Sequence, residues 1–139
     1  RWRENRYAGV ACDVPSHAYT YSFGPNPNWS KFFADGKEIH EYFKKVYYKY
    51  GVNFCTHLNE GVTSCVFNDG KWTVKTTQNK TYEADLLFSA AGILHKPAYP
   101  DIPGLDTFAG IAMHSARWDD SVELKGKRIG VIGTGSSAA

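Results

Sequence analysis

Two stretches near the C-terminal end of this 139-residue sequence carry residue types and spacings that do chemistry. The first is Lys127-Arg128-Ile129-Gly130-Val131-Ile132-Gly133-Thr134-Gly135-Ser136-Ser137-Ala138. A short apolar strand, Arg128–Ile132, feeds G-x-G-x-x-A, the turn with which a dinucleotide fold holds a pyrophosphate. Gly133 permits the sharp turn, Gly135 lets the pyrophosphate approach bare backbone, and Ala138 allows a helix to pack closely on the strand. Unpaired N–H groups at the helix start then bind the negative charge. Thr134, Ser136 and Ser137 fill the variable places with hydroxyls. The second stretch runs from Phe108 to Asp119 and fits F-x-G-x-x-x-H-x-x-x-W-D, with Phe108, Gly110, His114, Trp118 and Asp119 at the fixed positions.

Two further groups invite a chemical reading. Asp13 is the acid of an irregular loop rich in aromatic residues, and such a loop packs on something flat or lines a pocket. An acid there seeks a cation, and the pair can tune a nearby charged intermediate; the alternative is an Asp that caps a local turn ahead of Val14-Pro15. His114 offers a titratable ring for general-base work, but a lone His between proline-rich and glycine-rich segments reads first as structural. Cys12, Cys55 and Cys65 form an odd set without C-x-x-C spacing, which argues for reduced thiols rather than a disulfide frame or a zinc site. Net charge is +2 with acids and bases interspersed, so nucleic acid and membrane surfaces have no electrostatic case. No apolar run reaches the length of a membrane span and no signal peptide is visible, which makes cytoplasm the default.

The elements that must position these groups are legible in part. Gly9, Pro15 and the GPNPNWS stretch from Gly24 to Ser30 exclude regular structure across the first thirty residues. Asp35-Gly36-Lys37-Glu38 has the spacing of a capping box and opens a helix. Ile39, Phe43, Val46, Tyr47 and Tyr50 form its apolar stripe, Tyr42 and Tyr48 flank it, and Gly51 closes it. Val52 to Phe54 reads as a short strand. Gly61–Phe67 and Trp72–Thr77 read as a hairpin around Asn68-Asp69-Gly70-Lys71, with Trp72, Val74 and Thr76 alternating with Thr73, Lys75 and Thr77 so that one face is buried and one wet. Asn79-Lys80-Thr81, formally a glycosylation sequon, reads as a second turn. The near-continuous apolar run from Ala84 to Ser89 predicts a strand buried on both faces of a parallel sheet. It ends in Ala90-Ala91-Gly92, small residues that admit a ligand or another backbone. A proline-studded segment to Gly104 then reads as a semi-rigid linker. The fold class is α/β with a β-hairpin or meander insert.

The Phe108–Asp119 pattern resembles the fingerprint of the Baeyer–Villiger flavin monooxygenases, within the wider flavin-containing monooxygenase superfamily. The N-terminal loop is similar to that family's G-G-T-W…N-R-Y-P-G-x-x-C-D…Y-x-Y-S-F stretch. Trp2, Asn5, Arg6, Tyr7, Gly9, Cys12, Asp13, Tyr19, Tyr21, Ser22 and Phe23 match it. Pro97, Pro100, Pro103 and Gly104 match the family's P-x-x-P-x-x-P-G loop. The sequence departs at Ala8, where Pro is common, at Ala11, where many members carry Arg, and at Ala91, where Thr is usual.

The resemblance implies two dinucleotide-binding domains of Rossmann type, one for FAD and one for NADPH. Residues 1–104 would then belong to the FAD domain, 105–125 to the interdomain linker, and 126–139 to the start of the NADP domain. It implies that NADPH reduces FAD and that a C4a-peroxyflavin turns ketones into esters or lactones with O2. Ketone, O2, FAD and NADPH are the implied partners. The neighbouring activity is N- or S-oxygenation by a flavin-containing monooxygenase, and a non-catalytic truncated product is the reading outside enzymes. Asp13 is the implied catalytic acid, paired with an arginine beyond this sequence. Trp2, Asp13, Tyr19, Val62, Ala91, Gly92 and the Gly133–Ala138 turn are the implied cofactor contacts, and His114 shapes domain movement. The abrupt ends at Arg1 and Ala139 read as those of an internal piece, inactive in isolation.

Overall fold

The computed structural model describes residues 2–94 and 96–138, so Arg1 and Ala139, where the sequence reads as cut, lie outside the described residues. The chain divides into two compact units, Arg1–Tyr50 together with Ile93–Ala139, and Gly51–Gly92.

The first unit is built on one helix, α1, Gly36–Lys49. Asp35 caps it, its carboxylate accepting from the Glu38 N–H at 2.9 Å. The capping box is only half made. Glu38 turns away from the Asp35 backbone and takes Ser30 instead, accepting from its N–H at 2.9 Å and from its hydroxyl at 2.6 Å. Ile39 is fully buried, and Cys12, Trp29, Ala34 and Tyr42 complete the core, with Trp2, Tyr19, Phe43 and Val46 packed on it.

Tyr42 departs from its expected place at the stripe's edge: it is 6% exposed. Three residues after Ile39 it lies on the same helical face, and the loop that folds over that face needs its hydroxyl. That hydroxyl donates to the Gly24 carbonyl at 2.8 Å and accepts from the Tyr21 N–H at 2.7 Å. Tyr50, expected on the stripe, is exposed and reaches outward to donate to the Phe23 carbonyl at 2.6 Å. Gly51 follows with φ +67, the left-handed exit the sequence predicts.

Residues 10–16 and 32–36 lie side by side without a ladder. One isolated bridge, Ala11 with Asp35, joins them, with backbone bonds from Cys12 N to Ala34 O and from Ser16 N to Phe32 O. The fully buried Ser16 hydroxyl does the rest: it accepts from Ala34 N–H at 2.7 Å and donates to Phe32 O at 2.9 Å.

The second unit is an antiparallel meander, β1 Val62–Asn68, β2 Lys71–Thr76 and β3 Thr81–Ala84, in the order β1-β2-β3. Asp69 (φ +48) and Gly70 (φ +79) make the expected tight turn, and Asn79 (φ +59) sits in the second one. Val74 and Thr76 are buried while Lys75 is exposed, as the alternation requires.

Three expected strands are absent. Val52–Cys55 is a 3₁₀ turn closed by Phe54 N–H on Gly51 O at 3.1 Å. Of the Ala84–Ser89 run only Ala84 pairs, and Leu86 and Phe88 are 72% and 85% exposed. The reason is register. Ala84 lies opposite Trp72, so continuing the strand carries Leu86 past the start of β2 and opposite the hairpin turn. Arg128–Ile132 likewise forms no strand, and Ile129, Val131 and Ile132 are exposed. A strand needs a neighbour to satisfy its backbone, and none of the described residues supplies one.

Glu60, just before β1, is the buried charge of the second unit, its side chain 3% exposed. Its carboxylate accepts from Thr76 Oγ1 at 2.9 Å, Tyr82 OH at 3.0 Å and Lys80 Nζ at 3.1 Å. Burial pushes the carboxyl up, but the bonds from Thr76, Lys80 and Tyr82 and the Lys80 charge outweigh it, holding Glu60 below the ordinary carboxylate range. The bond to Glu60 holds Lys80 above the usual lysine range, against burial.

Two measurements check these arrangements. Ser16→Ala leaves the buried Ala34 N–H without an acceptor and is expected to cost about 1–3 kcal/mol of stability in urea melts. Glu60 has a lower pKa folded than unfolded, so its stabilisation is present above the ordinary Glu value of 4.5 and is lost as pH falls through the folded value. Glu60→Gln is therefore expected to flatten the acid limb of melting temperature against pH. An unchanged acid limb would show that other carboxylates set it.

Candidate functional site

The G-x-G-x-x-A residues form a turn, with Ala138 N–H bonded to Gly135 O at 2.8 Å. Gly133 has φ +131, a conformation L side chains rarely adopt, so the glycine is required by the backbone itself. A Cβ built on Gly133 or Gly135 meets nothing within 4 Å, so the backbone lies bare. Among the described residues no group accepts from the N–H groups of Gly133, Thr134, Gly135, Ser136 or Ser137. Bare backbone, free N–H donors and hydroxyls are the donor set a pyrophosphate takes.

An open cleft of about 310 Å³ lies over this turn, lined by Asp13, Leu94, Gly133, Gly135, Ser136 and Ser137 among others. Asp13 reaches it from the far end of the sequence. The Ser136 hydroxyl donates to Asp13 Oδ2 at 3.0 Å. Asp13 therefore makes no local turn bond of the kind the alternative reading required, and among the described residues it has no cationic partner. Its carboxylate therefore stands beside the bare turn with a neutral hydroxyl as its partner.

A second bond joins the same loop to the same turn. Tyr7 OH lies 2.9 Å from Ser137 Oγ, and the Tyr7 ring meets Trp118 edge-on with centroids 6.5 Å apart. Trp118, half-buried, thus packs against the N-terminal loop, with a loose Arg6–Asp120 ion pair of 3.8 Å beside it. The rest of the Phe108–Asp119 stretch is locally held. The Phe108 ring, itself exposed, lies over Gly110, so that a Cβ there would sit 2.6 Å from it and turn the ring aside.

His114 caps the 3₁₀ turn Ser115–Arg117, its Nδ1 accepting from Ala116 N–H at 3.0 Å. Its ring also packs against Tyr99 with centroids 5.4 Å apart. Asp119 accepts from the Ser121 hydroxyl at 2.6 Å and its N–H at 2.9 Å, bonds that hold its carboxyl below the usual range.

The remaining sequence-predicted contacts fall in different places. Trp2 Nε1 donates to Tyr19 OH at 2.9 Å and the two rings meet edge-on, so this pair is joined and packs on the core. Val62 opens β1 with an exposed side chain, and Ala91 and Gly92 end the second unit, so these three belong to the other compact unit. Tyr7 is the contact that sequence reasoning passed over. It stood in the matched loop, but nothing in the sequence pairs it with Ser137.

A family model described as pyridine nucleotide-disulphide oxidoreductase matches residues 13–139. An uncharacterized monooxygenase of Mycobacterium tuberculosis is 47% identical over 136 residues, covering 98% of this chain and 28% of its own length. A Baeyer-Villiger monooxygenase of Streptomyces coelicolor is 43% identical over 139 residues, covering 99% of this chain and 27% of its own length. Among solved structures, a cyclohexanone monooxygenase mutant from Rhodococcus sp. Phi1 bound to NADP+ superposes with a TM-score of 0.85 at 36% identity. That match covers 99% of this chain and 27% of the other. This chain thus spans little more than a quarter of the length of these relatives. The chain belongs to the pyridine nucleotide-disulphide oxidoreductase family and is similar to Baeyer-Villiger monooxygenases within the stretch it spans.

Proposed function

We propose that this chain is part of an FAD-dependent, NADPH-consuming monooxygenase that converts ketones into esters or lactones with O2. The observation that carries the reading is the 3.0 Å bond from Ser136 to Asp13, which puts a dinucleotide turn and the acid of an aromatic loop on one cleft. The NADP+ in the related cyclohexanone monooxygenase supports the choice of nucleotide. The relatives named as Baeyer-Villiger monooxygenases support the choice of reaction.

FAD, when bound and reduced by NADPH, supplies the activation of O2 for insertion beside a carbonyl. The chain's own residues bind and orient. The N–H groups from Gly133 to Ser137, unbonded among the described residues, take the pyrophosphate charge. Asp13 awaits an arginine contributed from outside this chain, and that pair holds the charge that develops at the reacting centre. Trp2, Tyr19, Val62, Ala91 and Gly92 serve the flavin side. Phe108, Gly110, His114, Trp118 and Asp119 belong to the linker between a flavin domain (residues 1–104) and a nicotinamide domain (from residue 126). The engagement of His114 Nδ1 in a cap supports a role in shaping the linker over one in proton transfer.

The decisive assay uses the full-length protein with FAD and NADPH on a ketone panel and on an amine and sulfide panel. Ester or lactone formation is expected; oxidation confined to amines and sulfides would overturn the ketone assignment. A second expectation concerns Asp13→Ala. Flavin reduction persists, while oxygenated product falls roughly ten- to hundredfold, the value of one hydrogen bond to a charged group, and hydrogen peroxide rises. Unchanged coupling of NADPH use to product would remove Asp13 from the chemistry.

A further inference from the structure

Tyr7 is only 9% exposed, yet its hydroxyl and ring face two different motifs. The hydroxyl lies 2.9 Å from Ser137 Oγ in the dinucleotide turn, and the ring packs edge-on against Trp118 of the Phe108–Asp119 stretch. The backbone of Tyr7 is itself fixed, its carbonyl accepting from Val10 N–H at 3.2 Å. A rigid side chain with one polar atom is therefore aimed at the cleft wall.

Counting protons shows what that atom does. An ionised carboxylate is an acceptor only, so the Ser136 hydroxyl spends its single proton on Asp13 Oδ2. Ser137 is then the remaining serine hydroxyl of the turn able to donate into the cleft. Its one proton is free for that task when Tyr7 is the donor of their shared bond, and is consumed when Ser137 donates to Tyr7. An anion in the cleft selects the first arrangement, because a hydrogen bond to a charged acceptor is stronger than one between neutral groups.

We propose that Tyr7 is a positioning residue: its phenol O–H donates to Ser137 Oγ and turns the Ser137 proton toward the pyrophosphate of an NADP-type dinucleotide, while its ring ties that turn to Trp118. This rests on the dinucleotide reading of the cleft. The two serines divide the work. Ser136 is committed to the acid, and Ser137 to the nucleotide through Tyr7.

The test uses the full-length, FAD-loaded protein, with NADP+ affinity measured by titration, flavin reduction by NADPH measured in stopped flow, and thermal melting as the control. Tyr7→Phe keeps the ring on Trp118 and deletes only the O–H. It is expected to weaken NADP+ binding about three- to tenfold, as loss of one oriented hydrogen bond does, with FAD retained and the reduction rate at saturating NADPH nearly unchanged. Ser137→Ala is expected to match or exceed that loss, and adding Tyr7→Phe to it is expected to cost nothing further, since both act through one proton. Tyr7→Phe binding NADP+ as tightly as the unsubstituted protein, or losses that simply add, would overturn the proposal while leaving the cofactor reading intact. Loss of FAD with a large fall in melting temperature would assign Tyr7 to packing alone and overturn it as well. An unsubstituted protein that binds no NADP+ would overturn both readings together.

Discussion

The first unit depends on a hydroxyl with no access to solvent. Residues 10–16 and 32–36 are irregular, joined by one isolated bridge and a few backbone bonds, and irregular buried backbone is costly unless every polar group finds a partner. Ser16 answers for Ala34 N–H and Phe32 O at once. In doing so it fixes the segment that holds Asp35, the cap of α1, and the segment that holds Asp13, the acid of the cleft. A methyl in place of that hydroxyl would fill nearly the same space and leave the Ala34 N–H without an acceptor, while the Phe32 carbonyl would keep only the Ser16 N–H. Shape alone therefore does not hold this loop pair; matched donors and acceptors do.

The cleft poses a problem of charge. A turn of bare backbone with N–H groups unbonded among the described residues sits beside a carboxylate, and nothing cationic among the described residues offsets it there. Ser136 gives the carboxylate a neutral donor without adding charge. A lysine or arginine at that position would pair Asp13 with a full charge instead of a neutral hydroxyl.

The second unit solves a related problem by the opposite means. Glu60 is nearly without solvent, a position that favours its protonated form, yet three donors and one positive charge reverse the balance. Those donors come from β2, β3 and the turn between them, so one carboxylate ties the chain entering β1 to the other two strands. Lys80 is half exposed, so much of its charge is still shared with water, and the hydroxyls of Thr76 and Tyr82 complete the satisfaction of the acid.

What the sequence determined by itself was local or chemical. The Asp35 cap, the Asp69-Gly70 hairpin and the positive φ at Gly133 each follow from how a few adjacent residues restrict their own backbone. The fingerprint residues and the dinucleotide turn led to the family for the same reason: a spacing is a property of one stretch. Tertiary structure decided everything that needed a distant partner. Asp85–Ser89 and Arg128–Ile132 have strand composition but no strand, because pairing belongs to two segments and these lack a second among the described residues. Tyr42 went inward because the loop above it had two backbone groups to satisfy. The bonds from Tyr7 to Ser137 and from Asp13 to Ser136 link residues separated by 130 and 123 positions. No periodicity reaches that far; only the packing of one unit brings such side chains within the reach of a hydrogen bond.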